Sequence, residues 1–269
     1  MADGTITRKL WKRYTELQFR IQNEAANLMK EYISQYGFED REAAMAYAYG
    51  LTLKYGEAAA EAACEMYDLS AKLAGVYVPE AEPAESATFE ETVSFLDKEA
   101  AQTITNIATG VGNLVKRQGA DTTMINAARD GAEWAWVPMG DTCSFCIMLA
   151  SNGWQRQSKK AKAHHAEHIH NNCDCQYAVR FNGQGGPKGY DPEKYQAMYY
   201  GADPDHWNTP DGKPPAGYDP TKYKAWELQL NAMRREAYAE NKAEINAQKR
   251  SAYAKRRELN SSKAEEIDV

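Results

Sequence analysis

Leu10, Trp11, Tyr14, Leu17, Ile21, Ala25 and Leu28 recur at mostly three- and four-residue spacing. On a helical repeat these positions form one apolar stripe and predict an amphipathic helix. Glu39 to Leu51 and Glu57 to Leu73 are Ala-rich, and Tyr55-Gly56 between them predicts two helices joined by a tight turn, with Gly75 ending the pair. Val78-Pro79-Glu80-Ala81-Glu82-Pro83 cannot continue a helix, because each proline lacks the amide donor and disfavours helical geometry before it. It reads as a surface connector. Thr88 with Glu91 is a capping-box pattern opening another helix, and Ile104, Ile107, Val111, Leu114 and Val115 mark a further helical face. Gly119-Ala120-Asp121 reads as a break before a short helix through Met124, Ala127 and Ala128. Glu133 to Met139 changes period and predicts a strand ended by Pro138, and Gln176 to Phe181 alternates as a second strand.

Beyond that strand the pattern thins. Residues 182–221 are rich in Gly, Pro and Asp. With the residues just after, they repeat Gly189-Tyr190-Asp191-Pro192 as Gly217-Tyr218-Asp219-Pro220. Asp then Pro fits a helix N-cap followed by its first residue, where a missing N–H costs little. From Lys222 the chain has no proline or glycine. Tyr223, Trp226, Leu230, Met233 and Ala237 form a stripe that turns polar and ends in Lys249, Arg250, Lys255, Arg256 and Arg257. That predicts a helix docked at its start and projecting at its end. The fold expected is mainly α: an N-terminal helical bundle, a small α+β module, and a long C-terminal helix. The divisions fall at 1–76 for the N-terminal helices, 77–87 for a linker, 88–181 for helices with the small module, 182–221 for a connector and 222–269 for the charged helix.

With 43% apolar and 26% charged residues the bulk is ordinary globular protein, and its net charge of −6 gives no general attraction to nucleic acid or anionic membranes. No apolar run approaches the ~20 residues that span a bilayer. The first residues, through Tyr14, are basic without an apolar stretch behind them, which predicts no secretory signal.

Cysteine usage is more informative. Four of the five cysteines lie within Cys143–Cys175, and the fifth, Cys64, reads as a small buried residue of a helix. Clustering in a large chain points to reduced thiols gathered for a metal rather than a disulfide framework. Cys143 and Cys146 form a C-x-x-C pair whose turn brings both sulfurs within reach of one tetrahedral ion, and His170, Cys173 and Cys175 follow some way downstream. These are five candidates for four places: Cys143, Cys146, His170 and Cys173, with Cys175 competing for the last. The metal this donor set fits best is zinc. A full protein shell leaves no place for water and makes the ion structural. Few apolar residues follow Trp154 in the loop to residue 169, so its order would rest on the ion. The opposing reading, a redox pair, lacks the βαβ context such a pair needs.

A catalytic reading competes. His165-Ala166-Glu167 reproduces the H-x-E of zinc deaminases, and Glu167 would be the acid/base of a deaminase-like or hydrolytic enzyme. In that signature, however, H-x-E precedes P-C-x-x-C, whereas here it follows C-x-x-C without the proline. HExxH is absent. His164, His165 and His168 read as surface residues of a charged loop. A nucleic-acid-binding zinc module is disfavoured by the absence of the C-x₂₋₄-C-x₁₂-H-x₃₋₅-H finger spacing and by the negative net charge. The expectation is a protein that is not an enzyme.

Gly140-Asp141-Thr142-Cys143-Ser144-Phe145-Cys146, Leu149-Ala150-Ser151-Asn152-Gly153 and His170-Asn171-Asn172-Cys173-Asp174-Cys175 together resemble the pattern of the minor head proteins of tailed bacteriophages, the Mu F-like group. So do Asp40-Arg41-Glu42-Ala43, Lys54 to Glu61, and Ala127 to Asp130 ahead of Trp134-Ala135-Trp136-Val137-Pro138. The likeness covers about residues 8–181 and rests chiefly on the cysteine motif. It implies a structural protein of the phage head that accompanies the portal vertex in procapsid assembly. Its partners would be the portal protein, the major capsid protein or both, with few copies per head. It would reside in the virion, and in host cytoplasm during assembly. Some members associate with DNA, and here Lys249, Arg250, Lys255, Arg256 and Arg257 could meet phosphates. Residues 182–269 depart from the family picture, and no protease or ADP-ribosyltransferase motif stands in them.

Overall fold

A computed structural model describes residues 4–100, 104–139, 144–156 and 175–200. The chain divides into two units, Met1–Tyr199 and Tyr200–Val269, and the fold is that of the first. The second Gly-Tyr-Asp-Pro copy and the expected C-terminal helix lie outside the described residues.

The first stripe forms α1 (Arg8–Tyr36), opened by Thr7, whose hydroxyl accepts from the Leu10 N–H at 3.3 Å. Gly37, at φ 74°, closes it and turns the chain into α2 (Arg41–Leu73), where Asp40 accepts from the Ala43 N–H at 3.0 Å. A single helix runs where two were expected. Gly56 does not stop it, because this face of α2 is buried from Thr52 through Ala63 and a Cβ at Gly56 would merely touch Gln118 at 3.5 Å. Burial outweighs the ~1 kcal/mol that glycine costs a helix. Gly75, at φ 66°, ends α2. The Gly75 N–H donates to the Lys72 carbonyl and the Val76 N–H to Ala71, the pair of bonds of a Schellman stop.

The expected connector 77–87 runs as an extended strap back along the bundle. Its hydrogen bonds go to α2 and to α4 (Ile104–Asp130). Ala81 N–H donates to Asp68 at 3.0 Å, Glu82 N–H to the Asn126 side chain at 3.0 Å, and Ala84 N–H to Thr122 at 3.0 Å. Asn126 and Gln118 return side-chain N–H donors to the Glu82 and Ala84 carbonyls. The strap leads into α3 (Phe89–Ala100), where Thr88 and Glu91 exchange the two bonds of the expected capping box at 3.0 and 3.2 Å.

α4 packs along both long helices. It too is unbroken where a break at Gly119 was expected. A Cβ at Gly119 would lie 3.1 Å from the Ala59 carbonyl of α2 and 3.2 Å from the Gln18 amide of α1. The glycine is there for close approach, not for a turn. Gly112, one face-repeat earlier, does the same against the Gln22 carbonyl at 3.2 Å.

After α4 come β2 (Glu133–Val137), α5 (Ser144–Ser151), β3 (Gln155–Arg156), β4 (Gln176–Arg180), β5 (Gly186–Pro187) and α6 (Pro192–Tyr200). β2 is the centre of a three-stranded antiparallel sheet in the order β3-β2-β4. β5 pairs in parallel with β1 (Thr5–Ile6), so the start of the expected 182–221 connector is part of the fold. Asp191 caps α6 as its Asp-Pro signal predicts, accepting from Glu193 N–H at 3.1 Å. No helix of the described residues is long and apolar enough to cross a membrane.

Two helical glycines should therefore respond oppositely to substitution. Gly50 in α2 is exposed with open space around its missing Cβ, so Gly50→Ala should stabilise by about 0.5–1 kcal/mol. Gly119→Val should destabilise by about 1–3 kcal/mol through overpacking. Urea unfolding of the two variants measures both, and equal midpoints would contradict the close approach of α4.

Candidate metal centre

The strands are apolar on both faces, and their pleat sends the two faces to different places. Trp134 opposes Val179 and Trp136 opposes Tyr177. These four side chains enter a buried cluster with Tyr67, Met124 and Ala127 of the long helices. Ala178 and Val137, of opposite parity, join Ile6, Trp11 and Tyr14 in another. Trp136 and Tyr177 ring centroids lie 4.4 Å apart, and Trp134 stands 5.9 Å from Tyr177.

Cys175 directly precedes β4 and has the parity of Tyr177 and Val179. It is fully buried and belongs to their cluster. Cys146 reaches the same cluster from α5, 1% exposed, beside Leu149. Thus one thiol from each half of the cysteine motif belongs to a single buried cluster rich in aromatic rings. Cys143, His170 and Cys173 lie outside the described residues, as do His164, His165, His168 and Glu167, and the basic residues Lys249, Arg250, Lys255, Arg256 and Arg257. Among the described residues no group of three or more His, Cys, Asp or Glu side chains could hold a metal ion.

The two described donors suit a soft divalent ion. Sulfur is the ligand type of structural zinc. Both thiols are buried, and a buried thiolate needs a compensating positive charge. A divalent ion would supply that charge, and Cys146 and Cys175 are the described residues that would hold it.

Around the cluster the structure adds contacts that residue patterns did not reveal. Glu133 at the start of β2 takes Arg180 of β4 at 2.8 Å and faces Arg156 of β3 at 3.8 Å. The Arg180 guanidinium also stands 4.7 Å over the Trp154 ring, which meets Tyr190 edge-on at 5.4 Å. Tyr190 donates to the Ala150 carbonyl of α5 at 3.2 Å, and burial pushes its phenol well above the usual range. A Cβ at Gly186 would fall 2.6 Å from the Trp154 ring, and its φ is 94°. The Gly185-Gly186 pair was the available signal: adjacent glycines after a strand mark backbone that must pass close to something. At the base of the cluster the Tyr67 hydroxyl lies 2.9 Å from both the Asn126 carbonyl and the Asp130 carboxylate.

Residues 5–202 match the family model described as VG15 protein. No curated protein and no solved structure matches the chain.

Cys64 stands apart from this centre on α2. Expected to be buried, it is half-buried, because its helix position borders the packed face. Desolvation, with Asp68 next, pushes its thiol up to about 11. Alkylation requires the thiolate, so its rate with iodoacetamide should keep rising about tenfold per pH unit beyond pH 9, where an ordinary thiol levels off. A plateau near pH 9 for the Cys64 peptide, followed by mass spectrometry, would contradict this environment.

Proposed function

The chain belongs to the VG15 protein family, a viral family that supports a phage protein, and we propose, from the likeness of its cysteine motif, that it is a minor head protein of a tailed phage, akin to the Mu F-like group. In this reading it is a structural component, not an enzyme. It acts in procapsid assembly at the portal vertex, in few copies per head, with the portal protein, the major capsid protein or both as partners. It resides in the virion, and in host cytoplasm during assembly. A structural zinc ion held by ligands from Cys143, Cys146, His170, Cys173 and Cys175 closes the segment between α5 and β4. The basic residues Lys249, Arg250, Lys255, Arg256 and Arg257 contact packaged DNA.

The observation that carries this reading is the arrival of Cys146 and Cys175 in one buried cluster. They belong to the two halves of the motif on which the likeness to minor head proteins rests, and they are far apart along the chain. Convergence is what a shared ion requires. The helical bundle supports the reading in a second way, since its long amphipathic helices offer surfaces for a protein partner.

Two measurements test it. Elemental analysis of protein purified without chelator should return about one zinc per chain. Cys143→Ser should lose it, and Cys64→Ser should keep it. Metal-free protein with freely titrating clustered thiols would end the zinc reading. Co-expressed with the portal protein of its phage, the chain should leave a size-exclusion column in the portal peak. Separate elution from both portal and major capsid protein would end the assembly reading.

A further inference from the structure

The first half of α1 carries charges that its own helix disfavours. Arg8, Lys9, Lys12, Arg13 and Arg20 stand against one carboxylate, Glu16, in a chain of net charge −6. The first turn holds no acidic residue, although the positive end of the helix dipole lies there. Lys12 pairs with Glu16 at 3.6 Å, with both side chains largely exposed. Arg8, Lys9, Arg13, Arg20 and Lys188 have no ion-pair partner among the described residues. Nothing within the described fold accounts for this concentration of charge.

Beside these cations lies an open groove of about 640 Å³, lined by Arg8, Trp11, Phe19, Met139, Lys188 and the Lys12–Glu16 pair among others. Three separate segments build it. Lys188 is fixed by its N–H donating to the Ile6 carbonyl at 2.8 Å, which sets the end of β5 beside the start of α1. Met139 is fixed by the Trp11 indole N–H, which meets its sulfur at 3.2 Å. Phe19 is 50% exposed and Met139 37% exposed, so two large apolar side chains face solvent in a groove that cations also line.

We propose that this groove docks an acidic, apolar-anchored segment of a partner protein. Its carboxylates pair with Arg8 and Lys188, and one large apolar side chain seats against Phe19 and Met139. Charge complementarity selects an acidic ligand, and the apolar floor selects one with a side chain to bury. A nucleic-acid strand fits less well. Strand binding uses successive aromatic faces as stacking platforms, whereas Phe19 is the one exposed ring here, Trp11 being 5% exposed. The inference depends on the assembly reading only for the partner being a protein. Its assay needs neither zinc nor portal protein, so the two can fail separately.

The test is fluorescence anisotropy of the full chain with a labelled peptide repeating Glu-Glu-Leu-Phe. Binding should weaken with added salt and vanish when the peptide's Glu is replaced by Gln. Arg8→Glu, Lys188→Glu and Phe19→Ser should each weaken it by about tenfold or more, with helical circular dichroism retained. Lys9→Glu makes the same change in net charge one position off the groove and should leave binding largely intact. Equal binding by Arg8→Glu and wild type, or equal weakening by Lys9→Glu, would overturn the proposal. So would a single-stranded DNA oligonucleotide that binds more tightly than the peptide and is lost in the same variants.

Discussion

Gln118, Thr122 and Asn126 are buried polar groups on one face of α4, and the fold is arranged around satisfying them. A buried amide left without partners costs about 1–3 kcal/mol, and an extended strap is what can offer donors and acceptors along a helix face. The bonds that Glu82 exchanges with Asn126, and Ala84 with Thr122 and Gln118, do so, and Arg129 extends the row to the carbonyls of Pro79 and Glu80. The route of the strap then decides the rest. It carries the chain back beside the start of α2, where α3 begins with Phe89 against Tyr49. α4 therefore runs parallel to α2, with Gly119 at Ala59 and Asn126 at Tyr67. Its far end delivers β2 to the base of the thiol-bearing cluster.

At that end, the pairing of β2 with β4 does for the candidate centre what a clasp does for a loop. Five register pairs from Glu133–Arg180 to Val137–Gln176 bring together the two ends of a long excursion. Val137 and Gln176 are its last paired residues, with Cys175 immediately next to the pairing. A structural ion there would tie strands already aligned by hydrogen bonds and aromatic packing, so less of the ordering would fall to the metal than in a small zinc finger. The Met139 wall of the cationic groove leaves from the same clasp, so the groove and the thiol-bearing cluster share one support.

What could be read from residue order was whatever depended on local periodicity or capping. The α1 stripe, the Thr88–Glu91 box, Gly75 as a stop and the Asp191-Pro192 helix start belong to this kind, each formed by neighbours in sequence; the strands were legible from the change of period at Glu133 and the alternation after Gln176, but not their pairing. Glycine was misread where its role was tertiary. Gly56 and Gly119 looked like breaks, yet both lie inside helices, and only the other helices' side chains and carbonyls explain them. The strap was legible as non-helical through its prolines but not as docked, because its partners lie on α2 and α4. The same holds for the Trp154–Tyr190–Arg180 contacts and for β5. At the candidate centre the donor types and spacing were visible, and the burial of Cys175 follows from strand parity, while that of Cys146 depends on how α5 packs.

The parallel pairing of Thr5 with Gly186 and Ile6 with Pro187 sets an order of events on the ribosome. α1 and α2 can pair as soon as both have emerged, since they are joined by a short turn. The first strand cannot find its partner until nearly the whole described chain has been made, and non-local contacts of this kind form late. The nascent chain must therefore hold Thr5 and Ile6 in waiting while the bundle assembles, and this pairing closes only once Gly186 and Pro187 have emerged.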